Sequence, residues 1–360
     1  MRSRKENNVM VRENKFLEKA KKSKNDEFYT LLVDIEKELK YYKKFFKGKI
    51  VFCNCDDPYE SNFFKYFALN FNSLGLKKLI STSYASSPVV GKEIGLFEHE
   101  GKEYRINNKR AYKVVVSEIK INNEDGGETL DDIKGIIRHR IRYLKEDGDF
   151  RSEECIELLK EADVVVTNPP FSMFREYVAQ LMEYNKQFLI IGNINAITYK
   201  EIFALIKNNK VWLGHGMGRW ISGFIVPDKY ELYGTEARIE NNQRIVSTNN
   251  CLWLTNIDFP ERHNDIKLFR RYNPEDYPTY DNYEAIEVSK TTDIPYDYDG
   301  IMGVPISYMD KFNPEQFEII ACSAFSDEEY FGCGSLYVGG KKKYARILIR
   351  RKKEGVEDED

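Results

Sequence analysis

Four short apolar runs recur along the first two-thirds of the chain, at 49–53 (KIVFC), 78–81 (KLIS), 163–167 (DVVVT) and 187–192 (QFLIIG), with amphipathic stretches between them. Runs of this length, rich in Val and Ile, predict buried strands. Apolar residues at helical spacing over 31–46, 62–72, 155–161, 174–184 and 199–207 predict helices that cover them. Together they specify an α/β fold with a mostly parallel sheet. Further strands are expected at 211–213, 224–226 and 252–255. There the order changes from strand-helix alternation to successive strands, so the sheet should end in an antiparallel hairpin.

Two segments depart from the alternation. Residues 82–148 read as an insertion with a hairpin around 104–116 and a very basic helix over 134–145 (KGIIRHRIRYLK). From about 258 onward Pro, Tyr, Asn and Asp dominate, as in NPEDYPTYDNY, and helix signals nearly vanish. A 360-residue chain exceeds the usual size of one domain. The expected division is a domain over 14–257, a second region over 258–353 and an acidic tail over 354–360.

Composition excludes several classes. Aromatics reach 14%, with 24 Tyr and 22 Phe, which does not suit a disordered chain. No window approaches the 18 apolar residues of a membrane helix, and the charged start MRSRKENNVMVRENK leads into no apolar core. Six cysteines lack paired spacing, which argues against a disulfide framework or a zinc site and for a reduced, cytoplasmic protein without metal. The Cys53-Asn54-Cys55 pair reads as small thiols at the end of a buried strand.

The net charge of −3 conceals an uneven distribution. Residues 1–49 carry 15 Lys/Arg against 8 Asp/Glu, and 341–353 (KKKYARILIRRKK) carry 8 basic residues and no acid. Basic stretches with interleaved aromatics suit a phosphate backbone, Lys341, Lys342, Lys343 and Arg346 being the candidate contacts. A solvated charged face is the alternative.

The segment that carries chemistry is EADVVVTNPPFSMF, 161–174. A buried strand runs into Asn168-Pro169-Pro170-Phe171, where two prolines forbid further ladder donation. In an open α/β sheet the carboxyl ends of the strands are where ligands bind. A carboxamide, rigid carbonyls and an aromatic face at that edge form a polar pocket with a stacking platform; the alternative is a rigid turn over a buried Phe.

NPPF after such a strand resembles the catalytic motif of S-adenosylmethionine-dependent methyltransferases that modify exocyclic amines. DEFYT (26–30), VFCNCDDPYESNFFKYF (51–67), GLKKLI (75–80), GFIVP (223–227), NNCLWLTNID (249–258), GVPISYMDKFNPEQFE (303–318) and YARILIR (344–350) extend the likeness to the EcoRI-type adenine-specific DNA methyltransferases, in the family's order, from about 14 to 353. The resemblance implies a Rossmann-like methyltransferase domain with a C-terminal target-recognition region. It implies methyl transfer from S-adenosylmethionine to N6 of a flipped adenine in duplex DNA, by a monomer paired functionally with a restriction endonuclease, at a site that would be GAATTC if the likeness reaches base readout.

By the same resemblance, Asn168 and the Pro169 carbonyl accept the adenine amino hydrogens, Pro170 stiffens the loop, and Phe171 stacks on the base. Phe224 resembles a second aromatic wall, for which Trp220 competes. The cofactor site departs from the usual Gly-rich turn, since Cys53 is followed by Asn54-Cys55-Asp56-Asp57-Pro58. The resemblance assigns the cofactor to Phe28, Tyr29, Thr30, Asn54, Asp56, Asp57, Asp149, Phe150 and Asn168, with Asp56 on the methionine or ribose part and Asp149 on the adenine. Without it, Asp56 and Asp57 read as a solvated loop end. Rival readings are an rRNA or protein-glutamine methyltransferase and, more distantly, a nuclease or non-catalytic DNA-binding module resting on Glu118-Ile119-Lys120.

Overall fold

The computed structural model describes residues 29–85, 110–119, 130–217, 221–226, 237–240, 243–247 and 250–352. The chain is a mixed α/β protein that divides into two compact units, one from Met1–Gly192 and Gly218–Cys251, the other from Asn193–Met217 and Leu252–Asp360. The basic stretch before 29, the first half of the expected hairpin, Trp220 and the acidic tail lie outside the described residues.

In the first unit the elements run β1 (Tyr29–Thr30), α1 (Leu32–Leu39), β2 (Ile50–Cys53), α2 (Asn62–Leu69), β3 (Lys78–Thr82), β4 (Tyr112–Val116), α3 (Leu130–Arg140), β5 (Ile141–Tyr143), α4 (Glu153–Glu161), β6 (Val164–Thr167), α5 (Phe174–Glu183) and β7 (Gln187–Asn193). Strands β3, β2, β6 and β7 lie side by side in that order, all parallel. Every residue of β2 and β6 is buried, which is why these strands read as unbroken apolar runs. β4 and β5 extend the β3 edge antiparallel, and β4 alternates buried with half-buried residues as an edge-side strand should. The chain moves outward from β2 to β3, then from β6 to β7 in the opposite direction. The carboxyl ends of β2 and β6 are therefore neighbours at the point where the strand order reverses.

The basic helix expected over 134–145 is corrected. The helix begins at Leu130 and ends at Arg140, and Ile141–Tyr143 pairs with Tyr112–Val114. A β-branched and an aromatic residue beside an open strand edge gain more from the ladder than from another helical turn. Helix α2 starts at Ser61, whose hydroxyl accepts from the Phe63 N–H, and it buries Phe63, Phe64 and Phe67. Its start is fixed by the cap and its direction by that aromatic face.

The second unit holds a five-stranded sheet in the order Thr279–Tyr280, Tyr283–Glu287, Met302–Pro305, Arg346–Arg351, Phe317–Cys322. Its helix is Lys200–Lys207, and a strand at Trp212–Leu213 pairs antiparallel with Leu254–Thr255. Beyond 258 the only helical segments among the described residues are 3₁₀ turns, such as Pro260–His263 and Ile306–Lys311. The exposed Lys341–Lys342 forms a small hairpin with Tyr337–Val338, whose turn is held by the Asp281 carboxylate accepting from the Gly339 and Gly340 N–H groups.

Arg346, grouped above with the DNA contacts, is instead turned inward. Its guanidinium meets the buried Glu287 carboxylate at 2.6 Å, and the Tyr280 hydroxyl donates to the same carboxylate. Gly303 on the intervening strand makes room, because a Cβ there would stand 2.1 Å from the Tyr280 oxygen. Burial pushes the Glu287 carboxyl up, but Arg346 and Tyr280 prevail and hold it below its ordinary range. Arg346→Met should destabilise the protein by about 3–5 kcal/mol, the usual cost of stranding a buried charge. Arg346→Met with Glu287→Gln should recover part of the loss. Urea unfolding checks this, and a single variant as stable as the parent refutes it.

Candidate active site

The loop after β2 and the loop after β6 are tied together by one carboxylate. Asp56 is buried, and its Oδ1 accepts from the Ser61 hydroxyl at 2.7 Å. Its Oδ2 accepts from the Thr167 hydroxyl, which also lies against the Asn54 carbonyl, and the carboxylate takes the Asn168 N–H as well. The last residue of β6 and the first residue of the NPPF loop thus rest on the acid of the β2 loop. Asp57, also buried, accepts from the Tyr112 hydroxyl and from the Tyr59 N–H at 2.9 Å.

The contacts continue around the crevice. Asn62, the residue after Ser61, donates from Nδ2 to the Thr30 carbonyl at 2.8 Å. Thr30 pairs with Phe224, on a strand Phe224–Val226 that runs antiparallel to β1. Phe224 meets Phe171 edge to face, with ring centroids 6.3 Å apart and planes at 76°. Residues 30, 54–62, 167–171 and 224, dispersed over the sequence, form one connected wall at the carboxyl ends of β2 and β6. The Thr30 hydroxyl is buried and makes no hydrogen bond among the described residues.

Electrostatics set this wall apart. Burial pushes the Asp56 carboxyl up to about 7, against the hydrogen bonds from Thr167, Ser61 and Asn168, with the Asp57 charge adding to the rise. Burial lifts Asp57 to about 6, opposed by Tyr112, the Tyr59 and Glu60 N–H groups and the Lys65 charge. Two adjacent buried carboxyls are costly to ionise together, and such a site favours a ligand that brings positive charge.

The model of the family described as adenine-specific methyltransferase EcoRI matches residues 16–352. The chain belongs to the EcoRI family of adenine-specific methyltransferases. Among curated relatives, the type II methyltransferase M.EcoRI of Escherichia coli is 53% identical, over 94% of this chain and 97% of its own. M.MpnI of Mycoplasma pneumoniae is 35% identical over 94% of this chain and 98% of its own, and M.MgeORF184P of Mycoplasma genitalium 34% identical over 92% and 98%. No solved structure matches. The family decides between the readings left open above: this is a methyltransferase, and neither a nuclease nor a bare binding module.

Not all the expected residues of the methyltransferase gather at this wall. Phe28 lies outside the described residues. Tyr29 is buried in β1 beside Thr30, and Asn54 is fully buried, its Oδ1 accepting from the Thr82 hydroxyl at 3.3 Å. The Asp149 carboxylate is engaged by Arg151, whose Nε and Nη2 donate to it at 2.8 and 2.7 Å. Those hydrogen bonds hold its carboxyl below the ordinary range against its partial burial. Phe150 is buried edge to face on Tyr177, 5.0 Å between centroids. The turn before them crosses the end of β3 so closely that a Cβ on Gly148 (φ +78°) would stand 2.1 Å from the Ser83 carbonyl oxygen. Pro169 is buried, while Asn168, Pro170 and Phe171 are half-buried at the crevice.

Four participants escaped the sequence reading: Ser61, Thr167, Tyr112 and Cys55. Cys55 adopts φ +69°, the left-handed conformation that a glycine would supply in the usual cofactor turn.

The raised acids make a pH prediction. Both values exceed the 3.8 of an unperturbed Asp, so between about pH 4 and pH 7 the folded chain keeps protons that the unfolded chain has released. Their contribution to stability therefore falls as pH rises through that window. Cofactor-free protein should gain thermal stability between about pH 7.5 and about pH 5.5 relative to Asp56→Asn. Parallel melting curves for parent and variant across this range would contradict the assignment.

Proposed function

We propose that the crevice at the β2 and β6 ends binds S-adenosylmethionine and a flipped adenine side by side, in a Rossmann-like catalytic domain that methylates adenine N6 in duplex DNA. The observation that supports it is the Asp56 carboxylate, shared by the cofactor-side loop and the NPPF loop of a chain in this family. The residues fit the cofactor: the acid pair offers negative charge to a sulfonium and an α-ammonium group, and the Thr30 hydroxyl offers a donor to a carboxylate. When bound, S-adenosylmethionine supplies an electrophilic methyl group. Tyr29, Asn54, Asp57 and Phe150 complete the proposed lining, with Asp149 acting on the cofactor only where Arg151 yields it.

The adenine amine is a poor nucleophile because its lone pair is delocalised into the ring. The Asn168 carboxamide oxygen and the Pro169 carbonyl accept its two hydrogens and thereby localise that pair, with Pro170 limiting the loop's freedom. Their placement is fixed before the substrate arrives, because Thr167 and the Asn168 N–H are already held by Asp56. Acceleration then comes from positioning and preorganised hydrogen bonds. The base is inaccessible within a duplex and has to leave the stack. Phe171 receives it, with Phe224 standing beside it at 6.3 Å between ring centroids as the second aromatic wall.

The region 258–353 is the proposed target reader, with Lys341, Lys342 and Lys343 on phosphates and Arg346 securing the strand behind them. The proposal extends to a type II modification role in the cytoplasm, paired functionally with a restriction endonuclease, a reading that rests on membership of this family. GAATTC is the proposed site, as the resemblance to the EcoRI-type family implies.

Single-turnover methylation tests the reading. Asn168→Ala should slow transfer by at least roughly a hundredfold to a thousandfold while cofactor and DNA affinity stay within a few fold, since the lost acceptor acts mainly at the transition state. Phe171→Ala should weaken base retention by about 1–3 kcal/mol, read with 2-aminopurine at the target position. A wild-type rate for Asn168→Ala would reduce NPPF to a turn.

A further inference from the structure

The Tyr112 hydroxyl lies 2.7 Å from each oxygen of Asp57. Nothing in the packing calls for that hydroxyl. The ring is buried and sits edge to face on Tyr59 with centroids 6.4 Å apart, a position that a phenylalanine would fill equally well. The backbone that delivers it is clamped. The Tyr112 N–H donates to the Ser83 hydroxyl at 3.0 Å, and the Tyr112 carbonyl accepts from the Ser83 N–H at 2.9 Å. Register between β3 and β4, with Thr82 opposite Lys113, then sets where the hydroxyl can reach.

Resting on the cofactor reading above, we propose that Tyr112 is a positioning residue for S-adenosylmethionine, holding the Asp57 carboxylate in place beside Asp56 so that two adjacent acids face one cationic ligand. Asp56 draws its donors from Ser61, Thr167 and Asn168, all on the crevice loops. Asp57 has the Tyr59 and Glu60 N–H groups from its own turn and the Lys65 charge from α2, and Tyr112 is the donor that reaches it from another strand. Tyr29, Tyr59 and Asp57 are the groups whose charges act on Tyr112. Burial first, and then Asp57, push its phenol far above the ordinary range, so it remains a neutral donor at every working pH. A hydrogen bond to the ionised acid favours that form and opposes the burial that would protonate it.

Calorimetric titration of the full-length protein with S-adenosylmethionine tests this. Tyr112→Phe should weaken the cofactor roughly tenfold, as loss of a hydrogen bond to a charged group does, while DNA affinity changes less than about twofold. The acid limb of the cofactor-binding pH profile should move to higher pH, because Asp57 loses a donor to its ionised form. Asp57→Asn should weaken binding comparably, and the double variant should lose little more than either alone. If Asp57→Asn binds cofactor as the parent does, the acid loop is not the cofactor site and the reading beneath this proposal fails. If Asp57→Asn weakens binding and Tyr112→Phe does not, or if the two losses add, the role of Tyr112 is overturned by itself. Should Tyr112→Phe fail to fold, folding restored by adding Asp57→Asn is the result expected of a hydroxyl acting through that acid. Failure of both leaves Tyr112 a packing residue and overturns the proposal.

Discussion

Everything at the candidate site depends on the desolvated carboxylate of Asp56. It receives hydrogen bonds from the cap of α2, from the last residue of β6 and from the main chain of Asn168. A buried acid left unpaired would be expelled or neutralised; given three donors from separate elements, it becomes the joint that fixes their relative positions. The Ser61 hydroxyl serves twice, donating to Asp56 and capping α2 through the Phe63 N–H. Helix start, strand end and catalytic loop are consequently one connected object.

The sheet makes that joint possible. Parallel strands β2 and β6 are neighbours, so their carboxyl-terminal loops must cross the same edge. Reversal of strand order at this point is where open α/β sheets bind their ligands, and the two loops there, one with the acids and one with NPPF, are joined through Asp56. The cost is electrostatic, since Asp56 and Asp57 are consecutive and both buried. A ligand with two cationic groups offsets that cost when it binds, which couples occupancy of the crevice to the stability of the loops that form it.

Much of this was legible from residue order. Strands buried on both faces appear as uninterrupted apolar runs, so KIVFC, KLIS, DVVVT and QFLIIG marked the parallel core within a residue or two. NPPF was legible because two prolines after such a run allow few structures. The end of α3 was not, because a basic amphipathic stretch reads as helix until a strand edge competes for Ile141 and Tyr143. Arg346 looked like one more cation in a basic run, and only the sheet reveals that Glu287, fifty-nine residues earlier, claims it. Asp149 has its partner two positions away, a pairing that local sequence permits without requiring. Tyr112 falls in the expected hairpin, but nothing local shows that its hydroxyl reaches Asp57, fifty-five residues earlier, and the left-handed turn at Cys55 carries no glycine to signal it.

The most direct measurement is a crystal structure of the protein with a short duplex containing the target adenine and sinefungin, in which an amine replaces the reactive methyl sulfonium. The account predicts the sinefungin cationic groups against the Asp56–Asp57 loop and an extrahelical adenine whose amino nitrogen lies within hydrogen-bond distance of both Asn168 Oδ1 and the Pro169 carbonyl. A cofactor analogue seated away from the β2 loop, or an adenine amine held by other acceptors with Asn168 turned aside, would contradict it.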